Sequence, residues 1–231
     1  MSQGTLYIVA TPIGNLEDIT LRALRTLKEV DVVLCEDTRE TRKLLDHYQI
    51  KTATLSYHQH SDDLKVDKII SLLYAGQNLA LVTDAGTPGI SDPGGRLVSL
   101  VRENLGEAVA VVAIPGISAL TSAVSLAGQG FDRFLFLGFA PHKKGRQTML
   151  KEAVASPYSV VMYESKHRIL KLLDELNKLT TTVEGSLEIV VARELTKMHE
   201  SLYFGSPDEV KQKLLSQETN LKGEFVVLIR K

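Results

Sequence analysis

The apolar residues of the chain change their spacing in a regular way. Thr5 to Ala10, Asp31 to Cys35, Thr52 to Tyr57, Leu79 to Val82 and Ala108 to Ile114 are short apolar runs of strand length. Runs without polar alternation suit strands buried on both faces of a parallel sheet. Ile19, Ala23, Leu24, Leu27 and Val30 recur on one helical face, as do Leu64, Ile69, Leu72 and Leu73, and helical character returns from Arg96 through Leu97, Val98, Leu100 and Val101. Strand and helix in alternation predict βαβ units. From Arg133 the pattern shifts to FLFLGF, YSVVMYE, LEIVVARE, SLYFG and EFVVLIR, five strand-like runs with two clear helices between them. One helix is marked by Ile169, Leu170, Leu172, Leu173 and Leu176; the other opens on Ser206, Pro207 and Glu209, a capping box with proline at its first position. A helix after Gly145 is less clearly patterned. Apolar periodicity stops between Ser125 and Asp132, where Gly128 and Gly130 permit a hinge. The expectation is a two-domain α/β chain, residues 1–128 and 129–231, with a mostly parallel first sheet, a mixed second sheet and an active-site cleft between the domains.

The segment Leu79 to Gly95, LALVTDAGTPGISDPGG, organises the rest. Its strand runs into a loop with four glycines, two prolines and two aspartates between Asp84 and Gly95. Most βα connections are about two to six residues long and lack this glycine density. Such a loop brings main chain close to a ligand, and in open α/β sheets ligands settle outside the carboxyl ends of the strands. Asp92 is the expected N-cap of the following helix, with Pro93 at its first position. Thr11, Pro12, Ile13, Gly14 and Asn15 after the first strand, and Pro115, Gly116, Ile117, Ser118 and Ala119 after the fifth, are two further loops of this type. The last would offer unpaired N–H groups and the Ser118 hydroxyl. The chain has no G-x-G-x-x-G after its first strand and no G-x-x-x-x-G-K-[ST], so a dinucleotide site and a P-loop are not supported.

Length and 44% hydrophobic content suffice for a sizeable core. Twenty-seven basic and 28 acidic side chains leave a net charge of -1, so any nucleic-acid contact must come from local patches. A single cysteine excludes an internal disulfide, and Cys35, set among Val32, Val33 and Leu34, reads as a buried inert thiol. Neither a signal peptide nor a membrane-length apolar run is seen, and a cytoplasmic protein without a membrane partner is expected. His58 and His60 would point the same way on a strand, but no third ligand stands at suitable spacing, so no metal site is assigned.

Three polar clusters follow strands. Glu36 to Arg42 (EDTRETR) is either a site-facing cluster or a capped, charged first helical turn. Glu164, Lys166, His167 and Arg168 follow VVMY, and Arg193, Glu194, Thr196 and Lys197 follow IVVA. The loop His142, Lys143, Lys144, Gly145, Arg146 is either a solvated turn or a phosphate-holding one.

Taken together, LYIVATPIGNLEDITLRAL, EDTRETRKLL, ALVTDAGTPGISDPG, IPGISA, FLGFAPHKKGR, YESKHRI, ARELTK and KGEFVV resemble the tetrapyrrole methylase-like superfamily, and most closely the ribosomal RNA small subunit methyltransferase I family. The resemblance spans nearly the whole chain. It implies a homodimer that uses S-adenosylmethionine, held between the domains, for 2'-O-methylation of a cytidine in the decoding region of small-subunit rRNA, met within the assembled small ribosomal subunit. By position it implies cofactor contacts from Pro12, Ala85, Gly86, Thr87, Ile90, Ser118 and Ala119, with Tyr163 and Leu195 from the second domain. Asp37 and Lys197 are the catalytic candidates, as base and as alkoxide-stabilising cation, and Arg39, Lys143, Lys144 and Arg146 the RNA-binding candidates. Ile117 and Lys166 stand where relatives often carry proline, and many members continue past the position of Lys231 into a helical tail. The alternatives are a methyltransferase of the same fold acting on a tetrapyrrole precursor or a protein side chain, and a non-catalytic ribosome-binding module.

Overall fold

The computed structural model describes residues 3–58, 63–128, 130–180 and 187–230, which divide into two compact units, 1–118 and 119–231. In the first unit, strands β1 (Thr5–Val9), β2 (Val32–Cys35), β3 (Ala53–Ser56), β4 (Leu79–Leu81) and β5 (Ala110–Ile114) alternate with helices α1 (Leu21–Glu29), α2 (Thr38–His47), α3 (Asp63–Tyr74) and α4 (Gly94–Leu105). The sheet order is β3-β2-β4-β1-β5 and every pair is parallel. Two separate cores show why these strands are apolar at every position. Leu6, Leu34, Leu79 and Leu81 pack with Val66, Ile69 and Leu73 of α3 and Leu97 and Val101 of α4. Their neighbours Val9, Val33, Cys35, Ala80 and Val82 pack with Ala23 and Leu27 of α1 and Leu45 of α2. Successive strand residues therefore feed opposite faces, each covered by its own helix pair. The connection after β1 leads toward β2, whereas the one after β4 crosses to β5 on the other side. Adjacent β1 and β4 thus form the topological switch point, where the ligand crevice of an open α/β sheet lies.

The second unit contains α5 (Ala119–Ala127), β6 (Phe134–Phe139), α6 (Arg146–Ala155), β7 (Ser159–Ser165), α7 (Ile169–Thr180), β8 (Glu188–Arg193), β9 (Ser201–Gly205), α8 (Pro207–Leu215) and β10 (Glu224–Arg230). Its sheet runs β6-β7-β10-β8-β9 with only the β6–β7 pair parallel. On one face Val160, Met162, Ile189, Val191, Phe225, Val227 and Ile229 meet Leu150 of α6, Ile169, Leu172, Leu173 and Leu176 of α7, and Val210 and Leu214 of α8. The α7 residues fall at the i, i+3, i+4, i+7 positions that make one helical stripe.

Two details depart from the sequence reading, and one weakly patterned element forms as expected. Packing groups α5 with the second unit, where the Arg230 guanidinium donates to the Ala127 carbonyl at 2.7 Å, so the division falls before this helix rather than at the glycines after it. The helix after Gly145, which lacks a clear apolar stripe, forms as α6 because Leu150, Ala153 and Val154 suffice to dock it. At α4 the N-cap is Pro93, with no side-chain cap, and Asp92 stands one residue earlier than a cap would. His60 lies outside the described residues. Among the described residues no helix is long and apolar enough to cross a membrane.

Candidate functional site

The carboxyl edge of the parallel sheet is built from loops that bond to one another through main chain. Thr11, just past β1, exchanges two backbone hydrogen bonds with Gly86 in the loop after β4, at 2.9 and 3.0 Å. The Thr11 hydroxyl also donates to the Thr83 carbonyl at 3.0 Å. Pro12 and the segment Ala85, Gly86, Thr87 are thereby held side by side over the switch point. Gly86 requires glycine, because its φ of +85° disfavours any Cβ and a Cβ there would approach Ile13 Cγ2 at 3.3 Å. The Thr87 hydroxyl reaches the Ile117 carbonyl at 3.5 Å, which links the loop to the PGISA turn that carries Ser118 and leads into α5 at Ala119. Ile90 is 38% exposed, a large apolar side chain left on the loop's outer side.

Asp92 fixes the loop's far end. One carboxylate oxygen accepts from the N–H groups of Gly89 and Gly94, both at 2.7 Å. The sequence reading gave Asp92 the right task at the wrong position, since it satisfies the helix start from before Pro93 and closes the glycine turn as well.

The polar cluster after β2 forms the capped, charged first helical turn of the second of its readings. Asp37 caps α2, accepting from the Arg39 N–H at 2.8 Å and from the Arg39 side chain at 3.1 Å through Nε and 2.7 Å through Nη2. The Arg39 hydrogen bonds hold the Asp37 carboxyl down at about 2. Glu36 accepts from the Thr83 hydroxyl at 2.9 Å, joining the β2 end to the glycine loop. Burial raises the Glu36 and Asp84 carboxyls above their ordinary values, and for Asp84 the neighbouring Asp37 and Glu40 charges add to the rise. This rim is acid-rich.

In the second unit the loop after β8 is ordered by charge. Lys197 Nζ lies 2.8 Å from Glu194 Oε1 and 2.9 Å from Glu224 Oε2. Burial pulls the Lys197 ammonium down, but its bonds to Glu194 and Glu224 outweigh that and leave it raised. Burial likewise pushes Glu194 up and is outweighed by Lys197 and the Glu224 N–H, so Glu194 is lowered. Glu194 and Thr196 have φ of +51° and +66°, on either side of buried Leu195. Non-glycine residues in this region store local strain that the surroundings must hold. Gly223 makes it possible, since a Cβ there would fall within 2.4 Å of the Glu194 side chain. Arg193 is buried and donates to the carbonyls of Lys222, His199 and Thr219, a structural cation rather than a site-facing one. Tyr163 stands edge-on to Phe136 and Phe139 at ring distances of 5.0 and 5.4 Å.

Arg146 is corrected by the structure. Expected on the basic loop as a phosphate ligand, it is 2% exposed and paired with Glu164 at 3.1 Å and Glu175 at 2.7 Å. As the first residue of α6 it points inward, where buried Glu164 requires a positive partner. Lys143 and Lys144 remain exposed. Sequence reasoning missed Glu164, Glu175 and Gly223 as organisers; the glycine directly before EFVVLIR was the one available sign of the last.

With this geometry in hand, comparison with known proteins decides the family. Residues 5–211 match the family model for Tetrapyrrole (Corrin/Porphyrin) Methylases. The chain is 42% identical over 228 residues to the Ribosomal RNA small subunit methyltransferase I of Halalkalibacterium halodurans, covering 98% of this chain and 76% of that protein. The chain belongs to the ribosomal RNA small subunit methyltransferase I family. Members with the same name from Escherichia coli O157:H7 (44% over 229 residues, 99% and 78% covered) and Thermotoga maritima (44% over 206 residues, 89% and 90% covered) agree. Among solved structures, the methyltransferase CobJ superposes with a TM-score of 0.70 at 16% identity, covering 99% of this chain and 94% of that one. Uroporphyrin-III C-methyl transferase from Thermus thermophilus, solved complexed with S-adenosyl homocysteine, superposes at 0.65 with 18% identity, covering 99% and 98%. At these identities the two structures speak for the fold of this chain and not for its substrate.

Proposed function

We propose that the chain uses S-adenosylmethionine to methylate the 2'-hydroxyl of a cytidine ribose in the decoding region of small-subunit rRNA, acting in the cytoplasm as a homodimer on the assembled small ribosomal subunit. The observation that carries this reading is the main-chain rim at the β1–β4 switch point, joined to membership of the family. Pro12, Ala85, Gly86, Thr87, Ile90, Ser118, Ala119, Tyr163 and Leu195 are the residues proposed to hold the cofactor. Two features of the chain fit such a group. Gly86 leaves the loop without a Cβ where main chain must approach a ligand, and the Thr196 hydroxyl beside Leu195 is buried without a hydrogen-bond partner. The acid-rich rim of Glu36, Asp37, Asp84 and Asp92 also suits a cation.

When bound, S-adenosylmethionine supplies an electrophilic methyl carbon on a positively charged sulfur. The chain's own task is chiefly positioning, because an in-line displacement needs the ribose oxygen aligned and kept from water. Lys197, held protonated by two carboxylates, is proposed to favour the alkoxide character that develops on that oxygen. Asp37 is proposed as the base. With Arg39 on its carboxylate it is a weak one, so proton uptake requires the guanidinium, 85% exposed, to turn to an RNA phosphate. A ribose hydroxyl as acceptor also accounts for choice of RNA over DNA.

Mass spectrometry of small-subunit rRNA from cells lacking the protein, with and without a restored copy, tests the reading. Loss of one ribose methyl group and its return with the restored copy are expected. Unchanged rRNA, with labelled methyl transferred instead to a tetrapyrrole precursor or a protein, would overturn it.

A further inference from the structure

Two loops of the second unit, both at the carboxyl ends of the parallel strands β6 and β7, are tied together from below. Glu164 at the end of β7 is buried and pairs with Arg146 at 3.1 Å and with Arg168 at 2.8 Å. Arg168 in turn donates to the Ala140 carbonyl at 2.7 Å, and Arg146 reaches the Pro141 carbonyl at 3.5 Å. With Glu175 on Arg146, the four charges of this brace cancel within the unit. What the brace leaves outside is of one sign. In the segments 140–146 and 164–168 the exposed ionisable side chains are His142, Lys143, Lys144, Lys166 and His167, and the one acid, Glu164, is internal. Among the described residues Lys143, Lys144 and Lys166 form no ion pair.

We propose that this braced pair of loops is a phosphate-binding rim for rRNA, in which Lys166 joins Lys143 and Lys144, and in which the Arg146–Glu164–Arg168 brace acts as the positioning element. The inference rests on rRNA being the substrate and adds to it where the backbone of that RNA is gripped. A chain with net charge of -1 has no general attraction for a polyanion, so affinity must be concentrated where cations are uncompensated and held at fixed spacing. Ordering the loops through buried ion pairs removes part of the entropy that phosphate binding would otherwise cost. A protein surface rich in carboxylates would be the alternative partner for such a rim; the loops offer no apolar core for one, and phosphates are the ligand the substrate supplies.

The test compares the full chain with K143Q/K144Q/K166Q and with K28Q/K51Q/K68Q, which removes the same charge from exposed sites of the first unit. Binding to purified small-subunit rRNA is measured across a salt series. The rim variant is expected to lose on the order of tenfold in affinity at about 0.1 M salt and to show a log–log salt slope shallower by about two, while the control variant stays within about twofold of the unsubstituted chain. Equal effects of the two triples would overturn the rim. Arg168→Gln keeps all three lysines but frees the Ala140 carbonyl; a folded Arg168→Gln chain with undiminished affinity would overturn the positioning half. Methylation of rRNA by the unsubstituted chain is followed in parallel. If it occurs while the rim triple binds like the control, the rim fails and the reaction stands; if it does not occur while the rim effect holds, the reaction fails and the rim stands.

Discussion

The glycine loop after β4 and the charged loop after β8 both present chemistry at the end of a strand, and they are built from opposite materials. The first is chiefly main chain: Thr11 and Gly86 bond backbone to backbone, and Asp92 orders the far end by accepting from two N–H groups. The second is side chain: Lys197 is fixed by two carboxylates, and Glu194 and Thr196 hold backbone conformations that only this surrounding maintains. A backbone rim recognises shape and tolerates no added carbon. A charged loop sets a protonation state and responds to pH. The two should therefore fail differently.

The largest effect is expected from Gly86→Val. A β-branched residue meets both the +85° φ and Ile13, so affinity for S-adenosylmethionine by calorimetry should fall at least about a hundredfold, of which strain at this φ supplies roughly 1–2 kcal/mol. Gly95→Ala sharpens the point. It lies in α4 with no atom within 4 Å of a new Cβ, so binding should hold within about twofold and stability rise by up to ~1 kcal/mol. Next in size is Glu164→Ala, which leaves buried Arg146 with Glu175 alone and takes the carboxylate from Arg168, and should lower unfolding free energy in urea by about 3 kcal/mol, with cofactor affinity of the folded fraction unchanged. Third, Glu194→Gln removes a charge that holds the Lys197 proton. The alkaline limb of single-turnover methylation should move to lower pH while KM for the cofactor is kept; an unmoved limb removes Lys197 from the reaction. Smallest in its effect on stability is Asp37→Asn, which keeps a cap for α2 but not the charge. The folded carboxyl sits at about 2, below the unfolded value of about 4. Its contribution is complete above about pH 4 and is lost as pH falls toward 2, so the variant should show a flatter stability profile in that interval.

The same contrast explains what could be read from sequence. The parallel sheet was legible because continuous apolar runs and helical stripes such as Ala23, Leu27 and Val30 report burial directly. The long loop after β4 was legible because the glycines and prolines between Asp84 and Gly95 are too dense for a short βα connection. The sequence could not show which charges meet. Arg146 in HKKGR looks like its lysine neighbours, and only the inward turn at the start of α6 gives it to Glu164, eighteen residues away. Gly223 and Glu194 flank different strands, one just before β10 and one just after β8, and become partners only through the β8–β10 pairing, in which Arg193 faces Phe225. Local pattern carries backbone, and long-range pairing carries electrostatics.

The central claim is that main chain at the β1–β4 switch point holds the methyl donor. A crystal structure of the full chain soaked with S-adenosyl homocysteine tests it directly. The account predicts the ligand against the backbone of Ala85 to Thr87 and the turn at Ser118. Density for it at a site that leaves those residues in solvent would contradict the account.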